Sequence, residues 1–329
     1  MVVSRRHLGT AAAASLILSS TAAVEAVSTP AASGAGRTAL VTGANTGIGL
    51  ECVRGLASSG YDVILACRTV EKGNAAVEKI RQSVPGAKLR VLDVPLELSD
   101  LRSVDVYADA VRRLDTPLAL LVNNAGIMAA PYTLSAQGHE SHFAVNHLGH
   151  FALTQQLLEP LRAGTARVVN VSSLAAYGDS LALDDLDWQR RTYEKWQAYF
   201  ASKLANVLFT RSLAVREPKL VTQAVHPGVV DTELARFILP PEVQAEKKQN
   251  PERSAATAKL LGLRSPAEGA APVLWVALDP AAGVDSGRFF LDANQEAPAL
   301  FRPGGGAEGM RRAEELWERS QAFVDAARA

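Results

Sequence analysis

"TALVTGANTGIGLE", residues 38–51, sets Gly43, Gly47 and Gly49 between a short apolar run and a helix-like stretch. A strand that enters a glycine turn and then a helix aims backbone N–H groups and the positive helix end at one point, where a phosphate can sit. There Gly43 makes the tight turn, Gly47 lets the backbone approach a ligand, and Gly49 lets the helix lie close on the strand. The spacing is G-x-x-x-G-x-G, not the commoner G-x-G-x-x-G. An ordinary glycine-rich turn reads the same way in isolation, so the rest of the chain has to decide.

Beyond it, short β-rich runs at 38–42, 62–67, 88–94, 118–124, 166–172, 220–226 and 287–292 alternate with helical stretches such as 47–59, 100–113, 140–159 and 200–216. Several of the runs are continuously apolar, as strands are when helices cover both faces of a parallel sheet. The expected fold is α/β: one Rossmann-type doubly wound parallel sheet of about seven strands flanked by helices. One domain over residues 37–329 accounts for the pattern, with 27–36 as a linker.

The 329 residues are 48% hydrophobic, enough for a large core, and carry 34 basic against 34 acidic side chains. That balance gives no electrostatic case for nucleic acid as a partner. Cys52 and Cys67 follow neither a zinc nor a CxxC spacing, so both are expected as buried or half-buried free thiols. Residues 1–26 are different in kind: Arg5 and Arg6 precede a short apolar run and an Ala/Ser-rich stretch with one acid, Glu25. The run is too short for a permanent membrane span. "SRRHLG" resembles a twin-arginine export signal, and the acid-poor composition equally suits a cleaved segment for a plastid or mitochondrion.

The second strand ends in "ILACRT". A carboxylate there would accept from the adenosine ribose hydroxyls and repel a 2′-phosphate; neutral Cys67 followed by Arg68 instead offers a guanidinium that can pair with one. NADP(H) is therefore expected over NAD(H). In "YFASK", Tyr199 and Lys203 are four apart on one helix face. A phenol titrates near 10, and a neighbouring ammonium stabilises its anion. Tyr193 has no such partner and is expected to be structural. "RVVNVSS" ends a strand in Ser172 and Ser173, "LLVNNAG" ends another in Asn123, Asn124 and Gly126, and "HFAVNHLGHF" sets Asn146 inside an apolar helix where its amide needs partners. His142, His147 and His150 lie nearby without a matching carboxylate or cysteine set, so no metal site is expected.

"TGANTGIG", "NNAG", "VNHLGHF", "NVSS", "YFASK" and "HPG" occur together in one order, and in this the chain resembles the short-chain dehydrogenase/reductase family over nearly all of residues 37–329. "ILACR", "SKLANVLFT", "AVHPGVVDT" and the insert "LALDDLDWQRRTYEKWQA" resemble the branch holding retinol dehydrogenases, WW-domain oxidoreductase and protochlorophyllide reductase. The resemblance implies a hydride transfer between nicotinamide and a carbonyl or alcohol. Tyr199 would pass the proton, Lys203 would lower its pKa and hold the ribose, Ser173 would bond the substrate oxygen, and Asn146 would hold a water on the proton path. It implies a cofactor site of Gly43, Asn45, Thr46, Gly47, Ile48, Gly49, Arg68, Asn123, Ala125, Gly126, Pro227, Gly228, Val229 and Thr232, together with Tyr199 and Lys203. The acid that meets adenine in the family is Asp93 or Glu97 here, with Glu97 favoured by the downstream "SDLRSV".

After "HPGVVDT", "ELARFILPPEVQAEKKQN" would form a lid, and its Phe237, Ile238 and Leu239 suggest a lipophilic small-molecule substrate or simply dock the lid on the core. The amphipathic stretch 307–329 is expected to pack on the domain or on a second copy, which leaves a homo-oligomer open. The alternatives are a carbonyl reductase of broad specificity and a non-catalytic NADPH-binding regulator.

Overall fold

Burial explains why the apolar runs become strands. Thr38–Thr42 (β1) is buried at every position and continues into the glycine turn and a helix, Gly47–Ser58 (α1). In this computed structural model, which describes residues 34–292, 295–297 and 305–329, the same unit recurs along the chain. Asp62–Ala66 (β2), Val70–Ser83 (α2), Leu89–Arg90 (β3), Leu101–Arg112 (α3) and Leu118–Asn123 (β4) follow. The helical stretch after β4 has three parts, Ser141–Phe143, a π-helical turn Ala144–Leu148, and Gly149–Gln156, here together α4. Then come Leu158–Ala163 (α5), Arg167–Val171 (β5), Lys195–Arg216 (α6), Val221–Val225 (β6), Pro241–Gln249 (α7), Pro251–Leu260 (α8), Pro266–Leu278 (α9), Arg288–Asp292 (β7), Gln295–Glu296 (β8) and Gly306–Arg328 (α10). The segment 1–26 and most of the linker, with the targeting signal expected there, lie outside the described residues.

The sheet order is β3-β2-β1-β4-β5-β6-β7-β8. Strands β1 to β7 pair in parallel, and the short β8 adds an antiparallel edge to the seven expected. Alternation along each strand builds one core per face. Leu40, Ile64, Leu121 and Val168 face α3, α4, α6 and α10, whereas Val41, Leu65, Val122 and Val169 face α1, α2 and α9. The chain winds outward from β1 to β3 and then returns to β4. The crevice beyond the carboxyl ends of β1 and β4 is thus the topological switch point, where α/β sheets place ligands.

Two expectations are corrected. The third strand is shorter than 88–94, because Leu96 N already bonds the Cys67 carbonyl at 2.8 Å and draws the chain over the end of β2. The helix expected over 140–159 is broken by the π turn and again at Leu157. The carboxyl-terminal helix packs on its own domain through Gly309, Ala313, Leu316, Ser320 and Val324. Trp317 meets Phe151 at 5.0 Å, and Ser320 bonds His147 at 2.9 Å. Among the described residues no helix is long and apolar enough to cross a membrane.

Candidate active site

At the switch point the glycines do what their spacing suggests. Gly43 has φ +64 and Gly47 φ +55, the left-handed region that other residues avoid. A Cβ on Gly49 would stand 2.3 Å from the Gly43 carbonyl oxygen, so only glycine lets α1 lie against the turn. Thr46 precedes the helix but its side chain does not cap it, and the first turn carries no acid. The free N–H groups and the positive helix end therefore meet no anionic side chain of their own helix.

One cleft runs from this turn. Gly43, Asn45, Thr46, Gly47, Ile48 and Gly49 form one wall, Arg68, Lys72, Leu96, Glu97 and Leu98 the next, and Asn124, Ala125, Gly126, Ile127 and Val145 the floor, while Thr232, Glu233, Leu234 and Arg236 reach in from the opposite side. Glu97 lies in the cleft wall and accepts from Ser99 N at 3.0 Å and Ser99 Oγ at 2.7 Å. Asp93 is exposed and outside it. Lys72 and Arg236 were not anticipated from the sequence. The signal for Lys72 was available: it stands one helical turn beyond the strand end that carries Arg68.

Asn123 does not join them. Its Nδ2 donates to Thr154 Oγ1 at 3.1 Å and to Asn170 Oδ1 at 2.8 Å, inside the sheet's other face. The next residue, Asn124, takes the expected place, and its Nδ2 donates to the Thr42 carbonyl at 2.8 Å. Alternation along β4 allows only one of the two amides to face the cleft.

Behind Gly126 the catalytic candidates converge. A Cβ on Gly126 would lie 3.1 Å from Asn146 Oδ1 and 3.7 Å from Lys203 Nζ. Tyr199 and Lys203 are successive turns of α6 and both are buried, with Lys203 Nζ 5.8 Å from the Tyr199 ring centroid. Lys203 Nζ donates to the Val171 carbonyl at 3.1 Å, and Ser172 Oγ donates to the Lys203 carbonyl at 2.7 Å, which locks α6 to the end of β5. Ser173 caps the following turn through Ala175 N at 3.1 Å and stands near enough to the Tyr199 phenol to pull its pKa down.

Asn146 sits in the π turn. Its Oδ1 accepts from Ile127 N at 2.8 Å, and its Nδ2 donates to the Ile127 carbonyl at 3.0 Å and to Ser202 Oγ at 2.9 Å. The amide thus ties the cleft floor to α6. Its backbone carbonyl accepts from His150 Nδ1 at 3.1 Å, so the neutral ring accepts at Nε2 from Thr42 Oγ1 at 2.8 Å. Thr42 Oγ1 in turn accepts from Asn124 N at 2.9 Å and Ala125 N at 3.0 Å. Burial holds His150 at about 4, which keeps the ring neutral and this chain of bonds intact at neutral pH.

Burial also sets the titration of the central pair. It pushes Tyr199 up to about 12, with the nearby Ser173 hydroxyl opposing, and it lowers Lys203 to about 8. In both groups desolvation penalises the charged form.

Pro227, Gly228 and Val229 lie outside the cleft lining, against Arg264. The guanidinium lies over Gly228, whose φ is +88, donates to the Pro227 carbonyl at 3.3 Å, and pairs with Asp292 at 2.5 Å. Val229 O accepts from Arg264 N at 2.8 Å, and Asp231 N donates to the Arg264 carbonyl at 2.9 Å. These bonds staple together the two stems of the segment between them, the expected lid.

Tyr193 is more engaged than its isolated sequence position suggested. Its hydroxyl is 3.0 Å from the Ala130 carbonyl and 3.2 Å from both Glu140 Oε1 and His142 Nδ1. His142 Nε2 accepts from Ala130 N at 3.1 Å, so Nδ1 donates to Glu140 at 2.8 Å. The His142 ring stands edge-on to Tyr199, 6.2 Å between centroids. Among the described residues no group of His, Cys, Asp or Glu side chains could hold a metal ion. Both cysteines are free, and burial raises their thiols, Cys67 to about 11.

The chain is similar to known proteins over most of its length. Residues 37–242 match the model of the family described as short chain dehydrogenase. Human retinol dehydrogenase 13 is 37% identical over 298 residues, 88% of this chain and 85% of the relative. Human retinol dehydrogenase 12 is 48% identical over 204 residues, which span 61% of this chain and 64% of that one. A crystal structure of an uncharacterised protein from Mycobacterium paratuberculosis superposes with a TM-score of 0.67 at 34% identity, covering 89% of this chain and 95% of the other. With its sheet order, glycine turn and buried Tyr199–Lys203 pair, this chain belongs to the short chain dehydrogenase family of nicotinamide-dependent oxidoreductases, in the branch that includes the retinol dehydrogenases.

Proposed function

We propose that this protein is an NADP(H)-dependent oxidoreductase that moves a hydride between the nicotinamide and a carbonyl or alcohol carbon of a lipophilic small molecule. The observation that carries the reading is one cleft that starts at the glycine turn beside Arg68 and reaches Gly126, behind which stand Asn146 and Lys203, with Tyr199 one turn from Lys203 on α6. The residues fit the cofactor. The turn has no room for a Cβ at Gly49, the α1 end is uncapped, and a cation stands at the end of β2. Bound NADP(H) supplies the carbon that gives or takes the hydride.

The chain's own groups do the rest. The turn and the α1 N–H groups bind the pyrophosphate, Arg68 pairs with the 2′-phosphate, and Glu97 faces the adenine. Pro227 to Val229, with Thr232, fix the nicotinamide end, and Asn146 holds a water on the path from Lys203 to solvent. Ser173 donates to the substrate oxygen while Tyr199 passes it a proton. Held near 12 by burial, the phenol is protonated at physiological pH, the form that gives a proton to a carbonyl oxygen. The same burial makes the oxyanion's hydrogen bonds from Ser173 and Tyr199 strongest as charge develops.

A second reading, a carbonyl reductase of broad specificity, draws on the lid. Phe237 and Ile238 are 41% and 40% exposed, so they do not close a tight apolar pocket by themselves. One assay separates the readings: consumption of NADPH and of NADH on aldehydes and ketones of rising lipophilicity, with Tyr199→Phe and Arg68→Asp alongside. A steep preference for lipophilic substrates supports the first reading and a flat profile the second. An unchanged NADPH/NADH ratio in Arg68→Asp sinks the cofactor assignment, and tight NADPH binding without turnover on any carbonyl sinks the catalytic one.

A further inference from the structure

Three cations converge on the cleft from three separate elements. Arg68 comes from the end of β2, Lys72 from α2, and Arg236 from the short 3-10 turn Glu233–Phe237 that opens the lid. Other basic side chains that reach across the fold have carboxylate partners, as Arg264 has Asp292 and Arg312 has Asp179. Among the described residues none of these three is in an ion pair. The cleft's carboxylates do not change this. Glu97 is turned onto Ser99, and Glu233 offers Arg236 its backbone carbonyl at 3.2 Å. Arg236 is half-buried, and burial together with the charge of Arg68 lowers its pKa against the opposing pull of Glu233, so the two guanidinium groups repel each other across the cleft. Like charges held together, with Glu233 nearby but no ion pair formed to any of the three, mark a place for an anion.

We propose that Arg236 is a selectivity residue: with Arg68 and Lys72 it completes a three-cation cradle for the ribose 2′-phosphate, and by doing so it fastens the lid only over the phosphorylated dinucleotide. This rests on the NADP(H) reading above and adds a residue from the far side of the cleft. The lid needs such a fastening. Between residues 233 and 260 only Ala258 is buried, so few apolar contacts hold the segment down. Arg236 is well connected to it. Its guanidinium stacks on the Phe237 ring at 4.6 Å, and its backbone carbonyl accepts from Gln244 Nε2 of α7 at 2.8 Å. A phosphate bound by Arg236 therefore restrains α7, whereas one bound by Arg68 and Lys72 alone restrains only the sheet side.

The test uses ligands without a nicotinamide. Affinities of 2′,5′-ADP and 5′-ADP are measured by calorimetry for the parent, Arg236→Gln, Arg236→Lys and Arg68→Ala. Trypsin cleavage at Lys247 and Lys248 is followed in the same samples. Arg236→Gln is expected to weaken 2′,5′-ADP about 5- to 30-fold, one charge-assisted contact, and to leave 5′-ADP within about twofold. Arg236→Lys is expected to recover part of the loss. In the parent, 2′,5′-ADP slows cleavage at Lys247 and Lys248 and 5′-ADP does not; in Arg236→Gln neither does. Equal weakening of both ligands, or an unchanged affinity for 2′,5′-ADP, overturns the proposal. If the parent itself shows no preference for 2′,5′-ADP over 5′-ADP, the NADP(H) reading falls with it; if the preference is present and only Arg236→Gln is silent, the cofactor reading stands and the role of Arg236 alone is lost.

Discussion

Replacing Gly49 by alanine tests the central claim about the turn, because the added atom meets backbone. Its Cβ would lie 2.3 Å from the Gly43 oxygen, 2.9 Å from the Gly43 carbonyl carbon and 2.6 Å from Asn124 Nδ2. Bringing the closest approach to an ordinary 3.4 Å means moving α1 off the turn by about 1.1 Å. A ligand hydrogen bond of about 2.9 Å stretched by that much is outside bonding range. A bond to a charged group contributes roughly 1.5–3 kcal/mol, so losing one weakens dinucleotide binding about 10- to 150-fold. The fold should survive: overpacking costs about 1–3 kcal/mol, against about 1 kcal/mol gained from alanine's better helix propensity. Gly55 is the control on the same helix. There a Cβ would come as close, 2.4 Å, but to Leu274 Cδ1, the far end of a side chain that can rotate away. Calorimetric NADPH binding and thermal melting on Gly49→Ala and Gly55→Ala are the assays. If Gly49→Ala binds within about threefold of the parent, or if Gly55→Ala loses as much, the close-approach argument is wrong.

Tyr199→Phe should lower turnover by about 100- to 10,000-fold while leaving NADPH affinity within about twofold, as expected for the loss of a proton donor and read from steady-state rates and calorimetry. His147, held at about 3 by burial, stays neutral in the fold while the unfolded chain takes up its proton below 6.5. Its depressed folded pKa means stability is full above 6.5 and falls as pH drops toward 3, so by pH 4.5 the parent should lose roughly 2–3 kcal/mol that His147→Phe does not, as measured by urea unfolding at both pH values. Arg264→Leu removes the staple between the lid stems and should cost about 1–3 kcal/mol, discounted for the pair's partial exposure, in the same unfolding assay.

How much of this was legible in the sequence follows from how local each feature is. The glycine turn, every expected strand but the shortened third and the Tyr199–Lys203 spacing are set within a few residues, and the structure has them where the sequence put them. Asn123 and Asn124 show the first limit. Both end β4, and which one faces the cleft depends on the strand's register in the sheet, which its own sequence does not reveal. The π turn at Ala144–Leu148 shows the second: "AVNHL" reads as ordinary helix, and the extra residue in the turn accompanies an Asn146 amide bonded to Ile127 and Ser202, both distant in sequence. Arg236 and Arg264 show the third. Each looks like a surface charge until the fold brings the lid stems back over the sheet.

The titration of the buried groups links these features to one another. A site that only needed a low phenol pKa would leave Tyr199 near water and close to its lysine. Here burial sets Tyr199 at about 12 and Lys203 at about 8, so the two arrive at neutral pH as phenol and ammonium rather than as an ion pair. The ammonium keeps its charge through the Val171 carbonyl, and the phenol keeps its proton until an oxygen that gains negative charge appears beside Ser173. For that the ring and the cleft floor must already be in place, because reorganisation in a dry site is expensive. Neutral His150, bridging Asn146 and Thr42, holds the floor by hydrogen bonds that carry no net charge. The polar groups around the reacting position are thus fixed by neutral partners, and the one buried cation there is left to respond to the charge that the reaction creates.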